Sequence, residues 1–451
     1  MKKFILICLL QGINILLVAQ TFDSTAYRQH YKNRLNSQYY SETLTDADKL
    51  AGLSKAWAEA KFNFANFDLV PDLNWDSIYH AYIPKVTKTN SAEDYFRVLA
   101  DFYRHLQDGH SAIFPPQDKF DEMFSNLPVR TQMMDGKLVI TDVFSDQYPS
   151  LQRGQVITHL NGKSISEISS EDFSPFLFFS TPQDSVAKLH SHFLFRGNKE
   201  KPIHLDLINT DGTRIKETVF RQPNEGLFKA PGEYRFEVLE GNIAYLFIHT
   251  FNEADVLDFY EKVMPEIMET NALIIDIRKN GGGNSNNGFE LIGYLTDQPF
   301  YQAVNIKRTY IPVERAWGNF PDKLAVTHYD WKPHRNLVYH KPVALLIGPD
   351  TYSAAEDFTV GFKSISRGTV IGQATGGSTG QPLFFQLPLG GMGFVCAKRD
   401  LLADGQEFVG KGIQPDISVS YSFENFINGK DEAIEKALEA LNLTILKAQN
   451  Q

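Results

Sequence analysis

Apolar residues recur at helical spacing through residues 21–116. Leu50, Leu53, Trp57, Ala60 and Phe64 follow Asp46 at intervals of three and four, which predicts a helix. A shorter helix is predicted near Trp75 to Ile83. The sharpest stripe is Tyr95, Phe96, Val98, Leu99, Phe102, Tyr103 and Leu106, within a helix predicted from Asn90 to Leu106. Asn90 with Glu93 gives it a capping-box-like start. Asp108-Gly109 is expected to stop it, because glycine takes the left-handed conformation cheaply. His110 follows at once, and a side chain just past a firmly packed helix end is held in place.

Residues 117–225 change period. Leu138 to Phe144 reads as a strand, and Gly154 to Lys163 as a strand entering a turn at Asn161-Gly162. Ile203 to Ile208 and Glu217 to Arg221 suggest a hairpin around Asp211-Gly212. In 226–422, apolar runs at Ile243 to Phe247, Leu273 to Ile277, Val343 to Ile347, Thr369 to Ile371 and Phe394 to Ala397 alternate with amphipathic stretches. That alternation predicts a sheet with helices packed on it. A last helix is expected in 423–451, roughly Asp431 to Leu441.

Composition narrows the class. The 451 residues are 43% hydrophobic and 22% charged, enough apolar material for several cores. A net charge of −10 lacks the basic footprint of a nucleic-acid binder. Residues 1–20 read as a secretory signal: Lys2 and Lys3, an apolar run broken by Gln11, Gly12 and Asn14, then Val18-Ala19-Gln20. The competing reading is an N-terminal anchor, and no other stretch is long and apolar enough to span a bilayer. Removal of this leader leaves Cys396 alone, so no internal disulfide is expected. Cys396 reads as a small core residue. Periplasmic or secreted localisation follows as an expectation.

The stretch Leu345-Leu346-Ile347-Gly348-Pro349-Asp350-Thr351-Tyr352-Ser353-Ala354-Ala355-Glu356 carries the chemistry. A buried run stops, a tight turn follows, and Ser353 sits where a helix begins. Hydrolases present a nucleophile this way; a plain helix-capping serine is the alternative. Acyl transfer also needs a base and donors for an oxyanion. The Ala354 amide is one candidate donor. Asp276-Ile277-Arg278-Lys279-Asn280-Gly281-Gly282-Gly283-Asn284 supplies another, at Gly281 or Gly282, because glycine lets backbone approach a ligand; a flexible turn is the bland alternative. Of 12 histidines, His110 is singled out by its fixed position. No metal site is expected: H-E-x-x-H is absent, and His190-Ser191-His192 is a weak ligand pair.

Six stretches in order resemble the tail-specific, or C-terminal processing, serine peptidases and the related tricorn-core peptidases. They are "DGHS", "GQVITHLNGK", "LIIDIRKNGGG", "TYSAAEDF", "GTVIGQATGG" and "GKGIQPDI", over about residues 90–420. "GQVITHLNGK" is similar to a segment of PDZ domains, which bind a peptide as an added strand; a β-rich spacer without a peptide site is the alternative. The resemblance implies a serine nucleophile and no metal or organic cofactor. One branch uses a lysine base about 25 residues after the serine; here that place falls in Ala374-Thr375-Gly376-Gly377-Ser378-Thr379 and is serine, while Lys398 lies much further on. The tricorn-like branch takes a histidine from well before the nucleophile, which Gly109-His110-Ser111 resembles. A glutamate of that branch is replaced by Val409, leaving Glu407 or Glu356 as the group that orients His110.

The expected architecture is a multidomain α/β chain. It comprises a signal peptide (1–20), an N-terminal helical region (21–116), a PDZ-like β-rich domain (117–225), a serine peptidase core of the α/β tail-protease, crotonase/ClpP-like kind (226–422) and a C-terminal helix (423–451). The expected function is an exported serine endopeptidase acting on polypeptides, C-terminal tails among them, with docking of the helical region controlling activity. The alternatives are a non-catalytic apolar-ligand or peptide-binding protein on the same fold, and a hydrolase of a non-peptide ester or amide.

Overall fold

The computed structural model describes residues 23–36, 41–170, 175–191, 193–223, 234–334 and 337–449. The expected leader lies outside the described residues. The chain divides into two compact units, residues 1–41 and 42–451. The first holds the helix Ser24–Asn36. Everything below belongs to the second.

Three helices open this unit: Asp46–Asn63, Trp75–Thr87 and Ala92–Arg104. Their apolar stripes merge into one core of aromatic side chains, with the Trp75 and Phe102 rings stacked 4.2 Å apart. Two sequence expectations are corrected. The third helix is capped by Ser91, whose hydroxyl accepts from Asp94 N at 3.0 Å, and Glu93 instead pairs with Arg97. The helix ends at Arg104, and the left-handed residue beyond it is Gln107, at φ 49°. Gly109 does not stop the helix; it is small because a Cβ there would overlap the Tyr352 hydroxyl.

Strand β1 (Ala112–Phe114) follows. An antiparallel sheet then runs in the order β2 (Val129–Met134), β3 (Lys137–Val143), β4 (Val156–Leu160), β6 (Pro202–Ile208), β7 (Arg214–Phe220), with β5 (Lys163–Ser164) paired to β4. The β4–β5 turn places Asn161 and Gly162 at φ 51° and 83°, as a tight hairpin turn requires. The helix Pro182–Ser191 lies beside β2, which is an edge strand among the described strands, where the Thr131 hydroxyl donates to the His190 carbonyl.

The central sheet contains β8 (Tyr234–Leu239), β9 (Ile243–Ile248), β10 (Ala272–Asp276), β13 (Val343–Ile347), β14 (Gly368–Gly372) and β18 (Ile417–Ser418). Its order is β18-β14-β13-β10-β9-β8, parallel except for the antiparallel β8–β9 pair. β9, β10 and β13 are buried along their whole length, as a parallel sheet covered on both faces demands. Helices Asp255–Ile267, Ser285–Ile292 and Ala354–Ser364 cover one face. The helix Glu432–Gln449, longer than expected, covers the other through Ala433, Ala437 and Leu441.

Two small sheets flank the centre. β11 (Phe300–Tyr310) pairs with β12 (Asp322–Trp331) and with β17 (Lys398–Leu401). The apolar run near Phe394 does not join the central sheet. As β16 (Met392–Cys396) it pairs with β15 (Pro382–Gln386) on one side and β1 on the other. The β1–β16 ladder knits the segment after His110 into the core, where a separately docking helical region was expected. Multidomain α/β describes the whole.

Candidate active site

Three neighbouring parallel strands end on one edge of the central sheet, and each delivers a loop. β10 runs into the glycine loop 277–283, β13 into the turn 348–353, and β14 into the loop 373–380. Open α/β sheets bind ligands at such carboxyl ends.

The turn after β13 presents Ser353. Thr351 anchors it: its hydroxyl donates to the Ile277 carbonyl at 2.9 Å and accepts from Gly348 N at 3.0 Å. Ser353 sits at φ 55° and ψ −122°, and its hydroxyl caps no amide of the helix that follows. A left-handed, non-glycine residue is strained. A capping serine adopts extended backbone and bonds an amide, so the capping alternative fails on both counts.

Gly282, at φ 102°, packs its backbone against this turn. A Cβ there would lie 2.7 Å from the Tyr352 carbonyl, 2.8 Å from Ser353 Cβ and 3.0 Å from Ala354 N. Its amide, expected to face an oxyanion, instead donates to Asn280 Oδ1 at 2.9 Å. A Cβ on Gly281 would meet nothing within 4 Å. Ala354 is the first residue of its helix, so its N–H has no carbonyl to bond within the helix and adjoins Ser353.

His110 arrives from the segment between the helix Ala92–Arg104 and β1. Asp108 builds its turn, accepting from His110 N and Ser111 Oγ at 2.9 Å each and from Asn66 Nδ2 at 3.0 Å. Gly109 N donates to Ser180 Oγ at 2.9 Å. The imidazole stacks on Tyr352, with centroids 5.1 Å apart and planes 7° from parallel. His110 Nε2 then lies 3.1 Å from Ser353 Oγ, across 243 residues of chain.

The group behind His110 is Ser378, whose Oγ lies 2.7 Å from Nδ1. Neither expected carboxylate touches the ring. Glu407 is partly exposed beside Arg399 and Lys411, at 3.5 and 3.8 Å, and plays no part here. Glu356 acts one step back. Its buried carboxylate accepts from Thr375 Oγ1, from Gly377 N at 2.8 Å and from Ser378 N at 2.9 Å. Asp357 holds the next residue, accepting from Thr379 Oγ1 at 3.1 Å. Two successive carboxylates in the first turn after Ser353 thus fix the loop that carries Ser378. Sequence reasoning marked position 378 only for its missing lysine and did not see this role.

Burial pushes His110 down to about 3, with the cations Lys188 and Lys398 adding to the shift. The imidazole is therefore neutral in the resting protein, with Nε2 free to accept when Nδ1–H donates to Ser378. Burial pushes Glu356 up to about 8, against the pull of its three donors. Among the described residues no group of ligands could hold a metal ion.

Residues 242–419 match the model of peptidase family S41. This stretch is a peptidase family S41 domain. The S41 domain contains the central sheet from β9 to β18, the glycine loop, Ser353 and Ser378, whereas His110 comes from outside it. The fold is similar to that of mature CPAF complexed with lactacystin (TM-score 0.70, 15% identity), covering 91% of this chain and 100% of that one. It is also similar to the photosystem II D1 C-terminal processing protease (TM-score 0.51, 15% identity), covering 82% and 93%. At these identities the likeness is one of fold.

Two outcomes are expected. Ser378→Ala removes the Nδ1 partner and should slow reaction of Ser353 with a fluorophosphonate by about 10- to 100-fold, with the melting temperature unchanged. Glu356 keeps its proton in the folded protein up to about 8, whereas the unfolded group ionises near 4.5. Its contribution to stability is full below about 4.5 and lost as pH rises through about 8. Glu356→Gln, which mimics the protonated acid, should flatten the fall in melting temperature over that interval, read by thermal scans.

Proposed function

We propose that the chain is an exported serine endopeptidase, with Ser353 as nucleophile and His110 as general base. The observation that carries this is the 3.1 Å approach of His110 Nε2 to a strained, uncapped Ser353 hydroxyl. Ser353 Oγ attacks the scissile carbonyl carbon as Nε2 takes its proton. The oxyanion so formed is held by the Ala354 amide, at the positive end of its helix. The C–N bond breaks as His110 returns the proton to the leaving amine. Water, deprotonated by the same nitrogen, then releases the acyl group and restores Ser353.

Ser378 keeps the imidazole in the tautomer and plane this cycle needs. No carboxylate compensates the imidazolium directly, so its charge in the transition state is balanced by the oxyanion beside it. A lowered His110 value also means that acid does not silence the base near 6.5.

The β-sheet of 129–220 is read as a PDZ-like module that captures unstructured chain ends. Support comes from β2, an edge strand among the described strands, beside the helix Pro182–Ser191. Between them opens a cavity of 350 Å³, lined by Thr131, Met133, Val186 and His190 and by Lys279 and Pro349 of the S41 domain. An added strand there would lead toward the Ser353 turn. Export rests on the leader pattern of residues 1–20.

A fluorophosphonate probe should label the wild-type chain at Ser353 and leave Ser353→Ala unlabelled; a folded wild-type chain that takes no label would instead point to the non-catalytic binding protein. In peptide hydrolysis, kcat/KM should show no acid limb near 6.5, because His110 titrates at about 3. A limb at 6.5, moved by Ser378→Ala, would contradict the buried neutral imidazole.

A further inference from the structure

The sheet β1-β16-β15 springs from the catalytic residues at two of its strands. β1 begins two residues after His110, and β15 begins four residues after Ser378. Its outer face is aromatic and open. Phe384 pairs with Phe394, their rings 5.5 Å apart, and Phe394 pairs with Ala112. Phe114 stacks on Phe394 at 5.7 Å and meets Phe178 at 6.3 Å. Phe384 is 57% exposed and Met392 46% exposed. β15 is also an edge: among the described strands it pairs only with β16, so one side of its backbone is unpaired. Nothing in the catalytic cycle uses this face or this edge.

We propose that β15 and the strip Phe114–Phe394–Phe384 form a specificity subsite that binds the substrate as an extended strand, with a large apolar or aromatic side chain on the strip. This rests on the endopeptidase reading and names the substrate class within it. Three physical arguments support it. An unpaired edge offers alternate N–H and C=O groups to an extended chain, and the side chains on the pleat choose its residues. A strand added to this edge runs along β15, and Phe384 lies two residues, about 7 Å, beyond Pro382, where β15 begins four residues past Ser378. The strip therefore reads a residue about three or four positions from the scissile bond. The strip itself is uncharged, and a charged side chain would lose hydration there without a partner. A second copy of the chain is a poorer occupant, because it would sit across the approach to Ser353.

The test is cleavage of a mixed-sequence peptide library by the full chain, read by mass spectrometry, for wild type and Phe384→Ser. Wild type should favour Phe, Leu or Met three or four residues to one side of the cut, and the variant should lose that preference. For a peptide with Phe at that place, kcat/KM should fall about 10-fold in the variant through a rise in KM. A peptide with Ser there should be cut equally by both proteins. N-methylation of alternate amides in that part of the peptide should raise KM with wild type. Equal fluorophosphonate labelling of the two proteins shows that the variant's site is intact. Cleavage without any positional preference, or a preference untouched in the variant, overturns the subsite and leaves the endopeptidase reading standing. A variant that changes only the sedimentation of the protein overturns it in favour of a self-association surface. A labelled wild-type chain that cuts no peptide overturns the endopeptidase reading, and the subsite with it.

Discussion

The structure turns on a single hydrogen-bond distance between two residues that share no secondary-structure element. His110 Nε2 and Ser353 Oγ are 3.1 Å apart although 243 residues separate them. A contact of that span is costly in chain entropy and survives only if each end is fixed independently. The Ser353 end is fixed by the sheet: Thr351 ties the turn to the neighbouring strand, and Gly282 lets the glycine loop close on it. The His110 end is fixed by packing: Asp108 shapes its turn, Tyr352 stacks on the ring, and β1 joins the strand paired with β15. Tyr352 serves both ends, as the residue before the nucleophile and the floor under the base.

The electrostatics follow from the same closeness. A ring buried this deeply cannot hold a charge at rest, and the group behind it is a hydroxyl. The carboxyl groups of Glu356, which keeps its proton up to about 8, and Asp357 are displaced by one link. They bind the backbone and hydroxyls of the loop that carries Ser378, and not the imidazole. Acidic side chains so placed confer rigidity without raising the basicity of the histidine directly. The site therefore relies on position more than on charge to make Ser353 reactive, which suits an imidazole that must stay neutral until the oxyanion forms.

What was legible in the sequence was whatever depended on local period and local chemistry. The helices around Trp57 and Phe102, the buried parallel strands, the Asn161-Gly162 turn and the Ser353 turn all announce themselves within ten or fifteen residues. His110 was singled out by its place just past a packed helix end, and the resemblance gave it the role of base. Ser378 was hidden because its role exists only when the loop after β14 folds back against a histidine from another part of the chain. Glu407 was named from the family's glutamate position two residues on; its carboxylate faces the buried Arg399 and the exposed Lys411. Gly109 was credited with ending a helix, yet its smallness answers to Tyr352, a contact that no local pattern displays.

The same logic explains why an aromatic face can stay open beside the site. An exposed, unpaired edge strand is a liability that proteins ordinarily blunt with charge or proline. β15 carries Pro382 at its start but then exposes Leu383 and Phe384. The two strands that border this sheet cannot be moved away from the reaction, because one continues from His110 and the other from Ser378. Their register is set by the catalytic geometry, and their outer face is set with it. The constraint that fixes the base and its partner therefore also fixes a short apolar edge at a constant distance from the nucleophile.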